Sequence, residues 1–195
     1  LLTLTGRSAS DHSLAVVPLA SCYDIWTPAG NFGLVRTAHL EYVAGATGAY
    51  IVNSALDADL GGNQVHYTDA SHKRQAMRWA EWIMRAAAGT PTTMQGPVIT
   101  SATRSGATIT VNVTQQGGTA LVDGTGGSGS SLAGFRVYDD TTLMTISSTS
   151  ISGNTITLNL SATPTGVVTM DFAMKNFAFD TDPPVVANIV YDNQS

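Results

Sequence analysis

Gly62-Asn63-Gln64-Val65-His66-Tyr67-Thr68-Asp69-Ala70-Ser71-His72, running directly into a helical pattern from Lys73 to Ala88, decides how the first half of the chain is read. Ala76, Ala80, Ile83, Met84 and Ala87 recur at helical spacing, so the stretch predicts an amphipathic helix with these residues as its apolar stripe. Lys73, Arg74, Arg78 and Arg85 read as its solvated face. Thr68 or Asp69 can cap the first amides, and Gly89, with Pro91 two residues on, ends the helix. Just upstream, Ala49-Tyr50-Ile51-Val52 reads as a buried strand. His66 therefore falls in a strand-to-helix loop, where an open α/β sheet presents side chains to a ligand.

Working back toward the start, Ser13-Leu14-Ala15-Val16-Val17-Pro18-Leu19-Ala20 is an apolar run bounded by polar residues, as expected for a strand buried on both faces of a parallel sheet. After the turn-like Thr27-Pro28-Ala29-Gly30-Asn31, Leu34, Val35, Ala38 and Tyr42 recur at helical spacing. Gly45 can close that helix in a left-handed conformation. A strand, a helix and a strand in this order predict a right-handed parallel unit. The single cysteine, Cys22, cannot form an intrachain disulfide and reads as filler of an apolar gap beside the first strand.

Beyond Pro97 the pattern switches to period two. Ala107 to Val113, Gly134 to Tyr138, Asn154 to Leu160 and Val167 to Ala173 alternate like strands, with turns at Ser105-Gly106 and Ser152-Gly153-Asn154. They predict an antiparallel sandwich. The segment Gly117 to Gly134 holds seven glycines, which predict a mobile loop; no helix or Gly-Lys-Ser/Thr signature follows to make it a phosphate cradle. The composition also changes near Pro91, from a part holding all three tryptophans to one dominated by Thr, Ser, Gly and Asn. The expected organisation is an α/β domain over 1–90, a linker over 91–96 and an all-β antiparallel, sandwich-like domain over 97–195.

A net charge of −5 and a pI of about 5.1 exclude a phosphate-backbone binder, because nucleic-acid affinity depends on dense Lys and Arg. A neutral or sugar-like ligand fits better. No apolar run is long enough to span a bilayer, and no residue cluster suggests a metal or another cofactor. The first residues, Leu1-Leu2-Thr3-Leu4-Thr5-Gly6, carry no basic start, cleavage site or initiator methionine, so the chain reads as a piece of a longer polypeptide.

The Asn63-Gln64-Val65-His66 block resembles the last conserved block of the SGNH (GDSL-like) hydrolases, whose pattern is Asp-x-x-His followed by a helix. Phe32 to Leu40 and Gly48 to Val52 resemble the sialate O-acetylesterase and carbohydrate-esterase branch, and Asn188-Ile189-Val190-Tyr191-Asp192-Asn193 resembles a phrase in the β-rich tail of such proteins. The resemblance implies the C-terminal part of a three-layer hydrolase fold with a parallel sheet. It also implies an acetylated carbohydrate as substrate, an O-acetylesterase activity and, in one version, a phage tail-associated enzyme. An extracellular or virion-associated setting follows from it.

Such an esterase needs a serine hydroxyl activated by an imidazole that takes its proton and later delivers one to the leaving alcohol. The resemblance gives that role to His66; the bland alternative is an ordinary loop histidine. Where the family has the aspartate that orients the ring, this chain has Asn63, which can accept a hydrogen bond but carries no charge. A backbone carbonyl near Asn63 could hold the ring instead, Asp57 or Asp59 could reach it, or activity could be reduced. His72 reads as structural. The Gly-x-Ser near the start, Gly6-Arg7-Ser8, lies too close to His66 to be separated from it by the required strands and helices. The nucleophile is therefore expected on an upstream half of the same hydrolase or on another chain. Trp26, after the first strand, is the aromatic residue placed to meet a sugar, while Trp79 and Trp82 on the helix fit packing better. The competing reading is a non-catalytic carbohydrate-binding, adhesion or virion module, and self-association of the chain stays open.

Overall fold

Residues 14–16, 31–53, 67–94, 96–115, 119–123, 127–130, 132–172 and 190–192 are described by a computed structural model, in which the chain divides into two compact units, Leu1–Gln95 and Gly96–Ser195. Within the first unit, β1 (Leu14–Val16) pairs in parallel with β2 (Ala49–Ile51), Leu14 opposite Ala49 and Val16 opposite Ile51. Parallel neighbours need a crossover, and α1 (Asn31–Gly45) lies within it. Val52 N–H extends the pairing by donating to the Val16 carbonyl at 3.0 Å. Ile51 and Val52 are buried, as their apolar run predicts. Leu14 is not: it is 48 % exposed, because β2 is the sole strand paired with β1 among the described residues. The left-handed residue expected at Gly45 is instead Gly48, with φ of 76°, whose carbonyl accepts from Leu14 N–H at 2.7 Å.

The helix α2 (Asp69–Ala87) begins and ends as its sequence dictates. Thr68 is the capping residue: its hydroxyl accepts from Ser71 N–H at 3.3 Å, leaving Asp69 as an acidic residue in the first turn, where the helix dipole favours it. At the other end Gly89 takes φ of 76°, and the Gly89 and Thr90 amides donate to the Ala86 and Arg85 carbonyls, both at 3.0 Å. That pair of bonds is the Schellman closure a glycine permits.

The orientation of α2 is the reverse of the expected one. Ala76, Ala80, Ile83, Met84 and Ala87 face outward, and the buried residues are Ser71, Gln75 and Trp82. Nor are all four basic residues simply solvated: Arg78 Nη1 donates to Asn53 Oδ1 at 3.3 Å, and Arg74 Nη2 lies 3.4 Å from Ser71 Oγ. Polar partners waiting at the end of β2 hold the polar side of the helix inward.

Antiparallel pairing governs the second unit. One sheet has the order β3 (Val98–Ser105), β4 (Thr108–Thr114), β9 (Thr155–Leu160), β8 (Ile146–Ser152), and another the order β10 (Val168–Phe172), β6 (Phe135–Asp139), β7 (Thr142–Met144). A further pair joins β5 (Leu121–Asp123) to β11 (Val190–Asp192). Gly106 and Gly153, at φ of 59° and 57°, make the tight connections β3–β4 and β8–β9. Alternate residues of β4 and β9, namely Ile109, Val111, Val113, Ile156, Leu158 and Leu160, form the core with Leu121, Leu132, Phe135 and Val137.

The glycine-rich segment is not the loose loop its composition predicts, as far as its described residues extend. Asp123 accepts from Gly127 N–H at 2.8 Å and Gly129 N–H at 3.0 Å, and the Ser128 carbonyl accepts from Ile151 N–H at 2.6 Å. Thr149 Oγ1 bridges the Gly129 carbonyl at 2.5 Å and Leu132 N–H at 2.8 Å. Gly129 has φ of 71°, and a Cβ there would lie 2.7 Å from Ile151 Cγ1. Here glycine serves close packing rather than freedom.

Candidate functional site

Because β1 and β2 are parallel, their C-terminal ends share one edge of the sheet. The chain leaving β1 leads to Trp26, and the chain leaving β2 leads to Asn63 and His66 before returning at Tyr67 to α2. Trp26, Asn63 and His66 lie outside the described residues, as do Ser8, Cys22, Asp57, Asp59 and Asn193. The described residues are those that anchor both ends of the 54–66 segment.

At its start stands Asn53, fully buried two residues past β2. Its Nδ2 donates to Gln75 Oε1, and its Oδ1 accepts from Arg78 Nη1 at 3.3 Å. At its end, Thr68 caps α2 and its hydroxyl lies 3.2 Å from Ser71 Oγ, itself fully buried. Ser71, Gln75, Arg78 and Trp82 thus form one face of α2, turned toward the end of β2 through Asn53. The group consists of amides, a hydroxyl and a guanidinium, which keep their protonation state near neutral pH and so act as fixed orienting groups. Gln75 Nε2 is buried with neither of its protons donated to an acceptor among the described residues.

Sequence reasoning missed Asn53 and Gln75. Their signal was the recurrence of Ser71, Gln75, Arg78 and Trp82 at steps of four, three and four, a second stripe opposite the apolar one. His72 is exposed and meets the Tyr67 ring edge-on, with centroids 5.4 Å apart. Trp82 is buried, its ring 6.1 Å from that of Tyr50, so it packs rather than offering a face to a sugar. Among the described residues no three His, Cys, Asp or Glu side chains gather as a metal site, and no helix is long and apolar enough to cross a membrane.

In the second unit the side of the four-stranded sheet opposite its core is uniform in chemistry. Pairing aligns Ser105, Thr108, Asn159 and Ser148 in one row, Thr103, Thr110, Thr157 and Ser150 in the next, and Ser101, Asn112, Thr155 and Ser152 in the third. Cross-strand bonds order it: Asn112 Nδ2 donates to Ser101 Oγ at 2.9 Å and Asn159 Nδ2 to Ser148 Oγ at 3.0 Å. None of these twelve positions is charged or aromatic. Elsewhere in this unit, backbone amides of Thr165 at 2.9 Å and Gly166 at 2.7 Å donate to Asp139 and hold its carboxyl below the ordinary carboxylate range.

No protein-family model matches the chain, and no curated protein matches it. Its fold is similar to that of a carbohydrate acetylesterase from Xanthomonas citri, known from a crystal structure, with a TM-score of 0.63 and 19 % sequence identity. The likeness takes in 93 % of this chain and 38 % of that one, so the present chain spans well under half of its length. The likeness is one of fold, a mixture of mainly antiparallel strands with two helices among the described residues.

Proposed function

We propose that the chain is the C-terminal part of a serine-dependent O-acetyl esterase acting on acetylated carbohydrate, either a sialate or a polysaccharide. The SGNH assignment, the domain division at 1–90 and 97–195, and the roles of His66, Asn63 and Trp26 belong to this reading. The observation that carries it is the fold likeness to a carbohydrate acetylesterase across nearly the whole chain. The parallel strand pair supports it, since its common edge leads into the segments holding Trp26 and His66.

In this reading His66 accepts the proton of a serine supplied from upstream or from another chain as the serine oxygen attacks the acetyl carbonyl. The imidazolium then protonates the departing sugar oxygen, which leaves as a hydroxyl. Water, activated by the same ring, releases acetate and frees the serine. Asn63 holds the ring through its amide oxygen, and Trp26 meets the sugar. The test is acetate release from an acetylated sugar by the polypeptide that includes the upstream sequence. An undiminished rate in its His66→Ala variant removes His66 from the chemistry.

A second reading, a non-catalytic carbohydrate-binding or virion adhesion module, draws on the twelve-position hydroxyl and amide face of the four-stranded sheet. Neutral donors and acceptors at that density suit a neutral polyhydroxyl ligand. Binding of the chain on a glycan array, abolished by Asn112→Lys and Thr157→Lys together, with no acetate release by the longer polypeptide, would favour it.

A further inference from the structure

Both helices of the first unit are inside out. On α1, Leu34 is 64 % and Tyr42 55 % exposed while Arg36 is 5 % exposed; on α2, Met77, Ile83 and Met84 are 73 %, 54 % and 73 % exposed while Gln75 is 7 % exposed. The exposed residues of α2 continue the apolar stripe of Ala76 and Ala80, and a stripe of that width on a helix exists to be covered. The adjoining sheet is small as well: among the described residues it consists of the parallel pair β1 and β2, and Leu14 on β1 is exposed. Parallel sheets occur with both faces covered and with more strands than two, because neither face nor edge of so small a parallel sheet is stable in water.

We infer that the outward faces of α1 and α2 are the docking surface for the remainder of an α/β domain, supplied by polypeptide outside these 195 residues. The neighbour of similar fold is long enough to contain such a remainder, since this chain corresponds to 38 % of it. A lipid surface suits the stripe less well in a chain of net charge −5. The inference rests on the proposed function for the origin of the partner, but the exposed stripes stand independently of any catalytic role.

The test uses thiol labelling in the longer polypeptide and in the 195-residue chain, each with Cys22→Ser as background. Leu34→Cys and Met84→Cys report on the two stripes, and Thr142→Cys, exposed on β7 of the second unit, serves as reference. In the longer polypeptide both stripe thiols should react more than about tenfold more slowly than the reference, as expected where reaction waits on opening of a packed interface. In the 195-residue chain all three should react at similar rates. Equal rates in the longer polypeptide overturn the inference. So does protection in the 195-residue chain: if it grows with concentration the face belongs to a second copy, and if it does not the chain covers its own stripe. Acetate release measured on the same longer polypeptide separates the two ideas. Protection without hydrolysis sinks the esterase and keeps the interface, whereas hydrolysis without protection does the reverse.

Discussion

Asn53 and Gln75 tie the end of β2 to the second turn of α2 through a buried amide–amide hydrogen bond, with Arg78 completing the Asn53 oxygen. Asn53→Ala removes both bonds and leaves the Gln75 oxygen and an Arg78 donor without that partner. A buried group deprived of its partner costs about 1–3 kcal/mol, so the variant should lose about 2–3 kcal/mol in the unfolding transition of the first unit. Denaturant titration followed by tryptophan fluorescence reads this transition, since Trp79 and Trp82 lie on α2. An unchanged midpoint would mean that water replaces the amide ladder at no cost.

Gly129 is placed where a side chain has no room, facing Ile151 with a left-handed backbone. Gly129→Ala should destabilise the second unit by about 3 kcal/mol, through backbone strain and forced repacking together. Adding Ile151→Ala removes the obstructing atoms and should recover the packing share while leaving the strain. Because Ile151 itself packs against the core, the comparison is with Ile151→Ala alone: a Gly129→Ala cost undiminished in that background would show that the cost lies in the backbone.

Asp139 gives the second unit a pH dependence of known sign. Its folded carboxyl is held low by the Thr165 and then the Gly166 amides, and unfolding returns it toward the ordinary value of about 3.9. The bonds therefore stabilise fully above that value, and their contribution disappears as the pH falls through the lowered folded one. Asp139→Asn should lower stability modestly at neutral pH and flatten the decline on the acid side. Thermal unfolding measured from about pH 2 to pH 6 checks it; parallel acid limbs for the two proteins would remove Asp139 from the account.

What could be read from the sequence follows where burial obeyed periodicity. β4 and β9 alternate strictly because one side of each meets the core, and Ile109, Val111, Ile156 and Leu158 declared it. The edge strands β3 and β8 were harder: opposite Ser101, Thr103 and Ser105 stand Ala102 and Arg104 rather than large apolar residues, and Ser and Thr occupy both sides of Ser147 to Ser152, so little apolar alternation survives. Gly117 to Gly134 misled because glycine marks both freedom and close contact, and only the nearness of Ile151 to Gly129 decides which. On α2 the apolar stripe was legible but its direction was not. Direction was set by Asn53, a distant residue whose amide needs Gln75 and Arg78. The site itself was legible only as residue types and order along the chain, since Trp26, Asn63 and His66 lie outside the described residues.

The departure at Asn63 yields the sharpest chemical expectation. A carboxylate beside a catalytic imidazole fixes its tautomer and stabilises the imidazolium, and replacing it by an amide in a complete triad costs several orders of magnitude in rate. If Asn63 occupies that place in the longer polypeptide, Asn63→Asp should raise kcat for acetate release by about tenfold or more, with KM little changed, because the gain arises only as charge develops on the ring. The same substitution should leave a His66→Ala background unimproved, since no imidazolium remains to stabilise. A rate unaltered by Asn63→Asp would assign the orienting role to another group, with Asp57 and Asp59 the next to substitute. A gain that survives in the His66→Ala background would separate Asn63 from the imidazole altogether.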